Sequence, residues 1–336
     1  MKLRVGLVGL GEAWQQRHAP ALRALADRFE VRAVCDQVSH RAEQVAAEFG
    51  AMAVDGYRAL VHREDVDAVL VLGAQWSGHL PILAACEAGK AVYCAAAIDL
   101  KPEDTQLVKQ RVEQAGIAFM AEFARRQAPA TIRLKELIAT RLGAPRLLFC
   151  HRRSGAEPCE RRPAARSQRD AALGDLVELV DWCCYVVDRN PTSVLGLLHQ
   201  GQCDENQEDY RMMSLDFSEP GQHGSGAVAQ ISCGRYIPSD WQEAISYRPL
   251  AALQVSCERG IAFIDLPSTL VWFDEAGRHQ ESLDSERPVG EQLLTQFFRA
   301  VTSLVRRSCD LEDAYRALWI VQQARGSHQE GRRVVL

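Results

Sequence analysis

From its third residue the chain alternates short apolar runs with amphipathic stretches. Leu3-Arg4-Val5-Gly6-Leu7-Val8 is an apolar run of the kind a strand buried on both faces needs. It ends in Gly9-Leu10-Gly11, where the chain must turn into a helix, and Pro20 sits early in that helix, where its missing N–H matters little. A second strand covers 30–35. Ser39 is placed to cap a helix over 41–49 that Gly50 closes. A short helix near 57–62 leads to a buried strand at 68–72. The loop Gly73-Ala74-Gln75-Trp76 follows at that strand's carboxyl end, the edge at which open α/β sheets bind ligands. A helix at 78–88, a strand at 91–94, a helix at 102–116 and a strand at 117–121 continue the alternation. The pattern predicts an α/β fold, with a doubly wound parallel sheet over residues 1–122.

Beyond it the pattern changes. A helix over 129–141 stops at Gly143, and a strand at 146–151 opens a second domain, 123–336. The stretch 152–169 is polar, arginine-rich and broken by proline, so it reads as a loop. Its arginines suit a clamp on an anionic or polyhydroxy ligand, a solvated loop or an oligomer arm. After a helix at 171–187 come strands near 192–198, 210–217, 225–233, 252–257, 260–265 and 269–273, then helices at 290–306 and 312–328. That succession predicts an α+β domain with an open, mostly antiparallel sheet whose exposed face needs covering.

The first βαβ unit carries the first chemical signal. Gly9 and Gly11 let backbone N–H groups approach a pyrophosphate at a helix N-terminus. Asp36 follows about 25 residues later, near the spacing at which a carboxylate accepts from a ribose hydroxyl. A carboxylate there repels a 2′-phosphate, so NAD is favoured over NADP. The third glycine of the G-x-G-x-x-G fingerprint is Trp14, whose indole is expected to crowd the helix–strand contact or the pyrophosphate approach.

Composition narrows the classes. The 336 residues suffice for two domains, and a net charge of −5 gives no reason to expect nucleic-acid binding. Only five lysines stand among 39 basic residues, a bias read as compositional. No apolar run approaches the roughly 18 residues a bilayer demands, and the chain enters a strand with no signal-peptide layout, so a cytoplasmic protein is expected. The 11 cysteines include no C-x-x-C pair and no metal-ligand spacing, so buried free thiols, and no metal, are expected. Cys183-Cys184 on an apolar helix fits core packing.

A set of motifs in order resembles a known family. Gly9-Leu10-Gly11, His18-Ala19-Pro20-Ala21-Leu22, Val34-Cys35-Asp36, Ala85 to Lys90, Arg126 and Pro129 are similar to the glucose–fructose oxidoreductase, inositol dehydrogenase and MocA family. The resemblance implies a nicotinamide-binding Rossmann domain followed by an α/β domain whose open sheet is covered by a second copy of the chain, as a homodimer or homotetramer, and oxidation or reduction of a sugar, polyol or related hydroxy compound. It also implies a Glu-Lys-Pro turn whose lysine moves protons. Here the sequence is Cys94-Ala95-Ala96-Ala97, so Ala96 stands in the lysine's place and Ala97 in the proline's. Lys90 and Lys101 read as surface lysines. The family's helical Asp-x-Gly-x-His-x-x-Asp pattern falls on 174–181, with Glu178 in the histidine's place and Asp181 last; a one-residue shift keeps Asp175 as the first aspartate but puts Leu179 at the histidine.

Together these point to Glu178, with Asp175 or Asp181, as the base, and to Arg126 and Arg152 against substrate. The cofactor is expected among Gly9, Gly11, Glu12, Ala13, Trp14, Asp36, Gly73, Ala74, Gln75, His79 and Ala95. Two readings stay open: an oxidoreductase with an atypical site, and a redox-inactive binding or scaffolding protein on the same fold.

Overall fold

A computed structural model of the chain describes residues 2–11, 13–73, 76–95, 102–156, 165–200, 208–222, 224–247, 251–284, 286–303 and 309–336. The chain forms two compact units, Met1–Ala124 with Arg287–Arg316, and Arg125–Glu286 with Ala317–Leu336. A single division after residue 122 assigns 287–316 to the second domain, whereas in the structure this segment groups with the first unit.

The first unit runs β1 (Leu3–Val8), a π-helical turn (Trp14–His18), α1 (Ala19–Ala24), β2 (Phe29–Cys35), α2 (Ser39–Phe49), β3 (Met52–Ala53) and α3 (Tyr57–Val61). It continues with β4 (Ala68–Val71), α4 (Leu80–Glu87), β5 (Ala91–Cys94), α5 (Pro102–Ala115) and β6 (Phe119–Ala121). The six strands pair in parallel in the order β3-β2-β1-β4-β5-β6, the doubly wound arrangement the alternation predicts. Side chains alternate between two cores, one on each face of the sheet. Leu3, Val5, Leu7, Leu22, Tyr93 and Phe297 build the first, and Val8, Val69, Val71, Ile82, Val92 and Phe119 the second. Ser39 is the first residue of α2 and makes no side-chain capping bond; the expected cap is absent. Instead the N–H of Val38 donates to Asp36 Oδ1 at 3.0 Å.

The second unit begins with α6 (Pro129–Leu137), a π-helical turn (Ile138–Leu142) and β7 (Pro145–Ala156), followed by α7 (Ala165–Val187), β8 (Ser193–Gln200), β9 (Glu208–Asp216), β10 (Val228–Pro238) and α8 (Gln242–Ser246). The strands β11 (Leu253–Cys257), β12 (Gly260–Asp265), β13 (Thr269–Asp274) and β14 (Gly277–Ser282) complete its run. The chain then contributes α9 (Val289–Thr302) to the first unit, passes through α10 (Cys309–Glu330) and ends in β15 (Val334–Val335). Nine strands form an open sheet, β14-β13-β12-β11-β7-β10-β9-β8-β15, in which β7 and β10 are the parallel pair and the other pairs run antiparallel. The expected loop 152–169 is mostly regular: β7 extends through Ala156 and α7 starts at Ala165, so Arg152 and Arg153 are strand residues. Among the described residues no helix is long and apolar enough to cross a membrane.

Candidate functional site

In the first unit the glycine turn is shaped by a close approach of backbones. Gly9 has φ +73, and a Cβ there lands 2.5 Å from the Gly73 carbonyl oxygen; at Gly11 it lands 2.1 Å from that of Leu72. The carboxyl ends of β1 and β4 therefore meet backbone to backbone, Gly9 against Gly73 and Gly11 against Leu72, in a glycine-lined cradle that no larger side chain permits. Asp36 is 5 % exposed and closes this turn from the side. Its Oδ2 accepts the Leu10 N–H at 2.7 Å, and Arg41 donates to the Leu10 carbonyl at 2.6 Å. The carboxylate thus sits at the end of β2, where the spacing predicts it, and also ties the turn to that strand.

Of the two places expected for the Trp14 indole, the structure shows the core side rather than the pyrophosphate approach. The indole is buried in the first core, edge-on to Phe49 at 6.0 Å between ring centroids, so it does not stand in the cradle. The turn it opens is wide, with the His18 N–H reaching back to the Ala13 carbonyl at 3.3 Å. Ala95 closes β5, its N–H donating to the Val71 carbonyl at 2.9 Å. His79 precedes α4 with Nδ1 3.4 Å from Asp104. Lys90 is not a free surface lysine: its ammonium donates to the Arg63 and Val66 carbonyls. Glu12, Ala74, Gln75, Ala96, Ala97 and Lys101 lie outside the described residues.

A buried polar cluster in this unit escaped the sequence reading. Glu122, just beyond β6, accepts from His18 Nε2 at 2.8 Å, from the Tyr93 hydroxyl at 2.7 Å and from Arg17. Burial works to raise its carboxyl pKa, but the bonds and charges of His18 and Arg17, helped by Tyr93, more than offset that and hold it at about 2. The same burial and the carboxylate push the Tyr93 hydroxyl well above its ordinary range. The available signal was a lone acid between Ala121 and Phe123 in an otherwise apolar stretch.

In the second unit α7 carries the three acids, and arginines meet each one. Arg125 Nε donates to Glu178 Oε2 at 2.9 Å. Arg126 makes a two-pronged bond to Asp181, which is only 3 % exposed, and its guanidinium lies 5.3 Å from the Tyr185 ring centroid. Arg152 reaches Asp175 at 2.7 Å and Arg235 reaches it at 3.4 Å. The sheet and α7 therefore bring together Asp175, Glu178, Asp181, Arg126 and Arg152, with Arg125 and Arg235 added. Trp182 anchors the helix through Nε1 to the Thr131 hydroxyl at 3.0 Å. Cys183 is buried beside Cys150, as its core reading requires. Among the described residues no group of three or more His, Cys, Asp or Glu side chains is placed to hold a metal ion.

The comparisons with known proteins bear on both units. Residues 3–123 match the model GFO_IDH_MocA, an oxidoreductase family with an NAD-binding Rossmann fold. The chain is 32% identical over 180 residues to inositol 2-dehydrogenase 3 of Saccharopolyspora erythraea, covering 52% of each chain. It is 31% identical over 145 residues to D-xylose 1-dehydrogenase (NADP(+)) 2 of Haloferax volcanii, covering 41% of this chain and 42% of that one. The matched stretches span about half the length of these curated relatives. Among solved structures, the aldose-aldose oxidoreductase from Caulobacter crescentus complexed with glycerol superposes on the full length of both chains with a TM-score of 0.84 at 17% identity, a likeness of fold. Residues 3–123 are thus similar to the NAD-binding Rossmann segment of the glucose–fructose oxidoreductase, inositol dehydrogenase and MocA family.

Proposed function

We propose that the chain is an NAD-dependent oxidoreductase acting on a sugar, polyol or related hydroxy compound. The observation that carries this is the cradle where β1 and β4 meet through Gly9, Gly11 and Gly73, with the Asp36 carboxylate at its side. Gly9, Gly11 and Ala13 would hold the pyrophosphate, Asp36 the adenosine ribose, and Gly73, His79 and Ala95 would line the remainder. When bound, the nicotinamide supplies the hydride acceptor or donor. Trp14 supports the turn from the core rather than touching the cofactor.

The protein's own task is then to orient the substrate hydroxyl and take its proton. Ala96 has no ionisable group, so the base comes from α7. Of its acids Asp181 is held on both oxygens by Arg126 and Asp175 is shared by two arginines. Glu178 is the most exposed of the three, at 21 %, and Arg125 engages its Oε2, so Oε1 meets the hydroxyl. Arg126 acts as the positioning residue for Asp181, and Arg152 stands against the substrate beside Asp175.

A homo-oligomer follows from the second sheet. Leu147, Leu195, Leu197 and Phe273 are 39–51 % exposed, and each alternates along its strand with a buried residue, so all four lie on the face away from the core. Seven of the eight described free thiols are buried, which fits a reducing compartment such as the cytoplasm.

The test is calorimetry with NAD, NADH, NADP and NADPH, then a screen of sugars and polyols followed by nicotinamide absorbance. Binding of NAD(H) with turnover is expected. The second reading, a redox-inactive binding protein, draws on Ala96 and on the arginines that occupy the acids of α7. Cofactor binding without turnover of any hydroxy compound would favour it.

A further inference from the structure

Three strands of the second sheet place arginines side by side. In the register of β7, β10 and β9, Arg152, Cys233 and Arg211 are direct cross-strand neighbours, so the two guanidiniums flank one thiol on one face. Arg235 lies two residues further along β10 and reaches the same carboxylate as Arg152, Asp175 on α7. Among the described residues the charges in contact around that carboxylate do not balance. Arg125, Arg152 and Arg235 face Asp175 and Glu178, three cations against two anions among these described side chains.

The imbalance opens outward. The side chains of Arg152 and Arg235 are 38 % and 34 % exposed, whereas that of Asp175 is 11 % exposed and sits behind them. Arg235 also keeps an enclosed Nε–H with no hydrogen-bond partner. A buried donor without an acceptor is uncommon in a folded protein. A guanidinium presents its donors as a planar fork, which matches the two oxygens of a carboxylate or the edge of a phosphate and is poorly matched to single hydroxyls.

We propose that the substrate carries an anionic oxygen group, a carboxylate or a phosphate, and that Arg152 and Arg235 together grip it in front of Asp175. This rests on the reading that the inner side of α7 lines the substrate site. The hydroxyl to be oxidised, or the carbonyl to be reduced, then lies on the same compound, one end held by the arginine pair and the other presented to Glu178. Asp175 acts as the positioning residue that fixes both forks.

The experiment uses the full chain saturated with NADH and titrates three matched sets by calorimetry: sugar acids, sugar phosphates, and the corresponding neutral sugars and polyols. The same sets are then run for turnover. We expect one anionic set to bind at least tenfold more tightly than its neutral counterpart, with the attraction weakening as salt is raised. Preference between sugar acids and sugar phosphates identifies the group. R152Q and R235Q each lower anion affinity at least tenfold and raise KM more than they lower kcat, and R235K restores only part of it, because an ammonium lacks the fork. Equal or better binding of the neutral set overturns the proposal, as does anion binding that both Gln variants leave unchanged. Turnover of neutral polyols alone would overturn it while leaving the oxidoreductase reading intact. Tight, arginine-dependent anion binding without turnover of any compound would uphold the anion site and sink the oxidoreductase reading instead.

Discussion

Replacing Glu122 with Gln removes a charge on which three side chains converge while keeping its size. The carboxyl is held at about 2 against an ordinary 4.5, because His18, Arg17 and Tyr93 outweigh the cost of its burial. At about 1.4 kcal/mol per tenfold in proton affinity, that difference corresponds to roughly 3 kcal/mol of stability at neutral pH. Breaking a buried ion pair by deleting one partner costs about the same, on the order of 3–5 kcal/mol. The sign follows from the direction of the change. The unfolded carboxyl takes up its proton near 4.5 and the folded one near 2, so this stabilisation is complete above about pH 4.5 and is lost as pH falls through 2. Amide hydrogen exchange reads the effect where it acts, at the Glu122 N–H on the Cys94 carbonyl and the Val92 N–H on the Ala118 carbonyl. In E122Q these amides are expected to lose roughly 3 kcal/mol of protection at pH 7. The gap to the parent protein should narrow as pH drops from 5 toward 2. Equal protection at pH 7, or a gap that stays constant with pH, would refute the ion-pair account.

Other expectations concern the cofactor cradle and the open sheet. G11A drives a Cβ against the Leu72 carbonyl and should weaken NAD binding at least tenfold by calorimetry, with roughly 1.4 kcal/mol lost for each factor of ten. W14G restores the fingerprint's third glycine, yet it should lower stability by about 3–5 kcal/mol in a denaturant melt, because it empties a core position, and leave NAD affinity no better. D36A removes the acceptor for the Leu10 and Val38 N–H groups and leaves Arg41 unopposed, so the ratio of NAD to NADP affinity should fall. The double variant L195R/L197R places charge on the exposed sheet face and should shift the chain to a smaller species in light scattering without lowering its melting temperature.

What the sequence determined by itself is local. Apolar runs of strand length, amphipathic stretches of helix length and glycines at their junctions predict the alternation of the first unit, because each is a property of consecutive residues. Gly9 and Gly11 were legible for the same reason, and Asp36 because it ends a strand at the right distance from them. Where local pattern is weak, the reading stopped short. The polar strand β14 shows only half-buried and exposed positions and left no apolar signature, and the arginines of 152–156 concealed the far end of β7.

Only the tertiary structure decided which way Trp14 turns, since that depends on the room beside Phe49 in a core assembled from distant segments. His18 and Glu122 are 104 positions apart and meet only because parallel strands set their register. Arg152 and Arg235 share Asp175 because β7 and β10 pair in parallel beneath α7. Charge recognition of this kind rests on side chains brought within a few ångströms by sheet order and helix packing, and neither quantity is written in any short stretch of the chain.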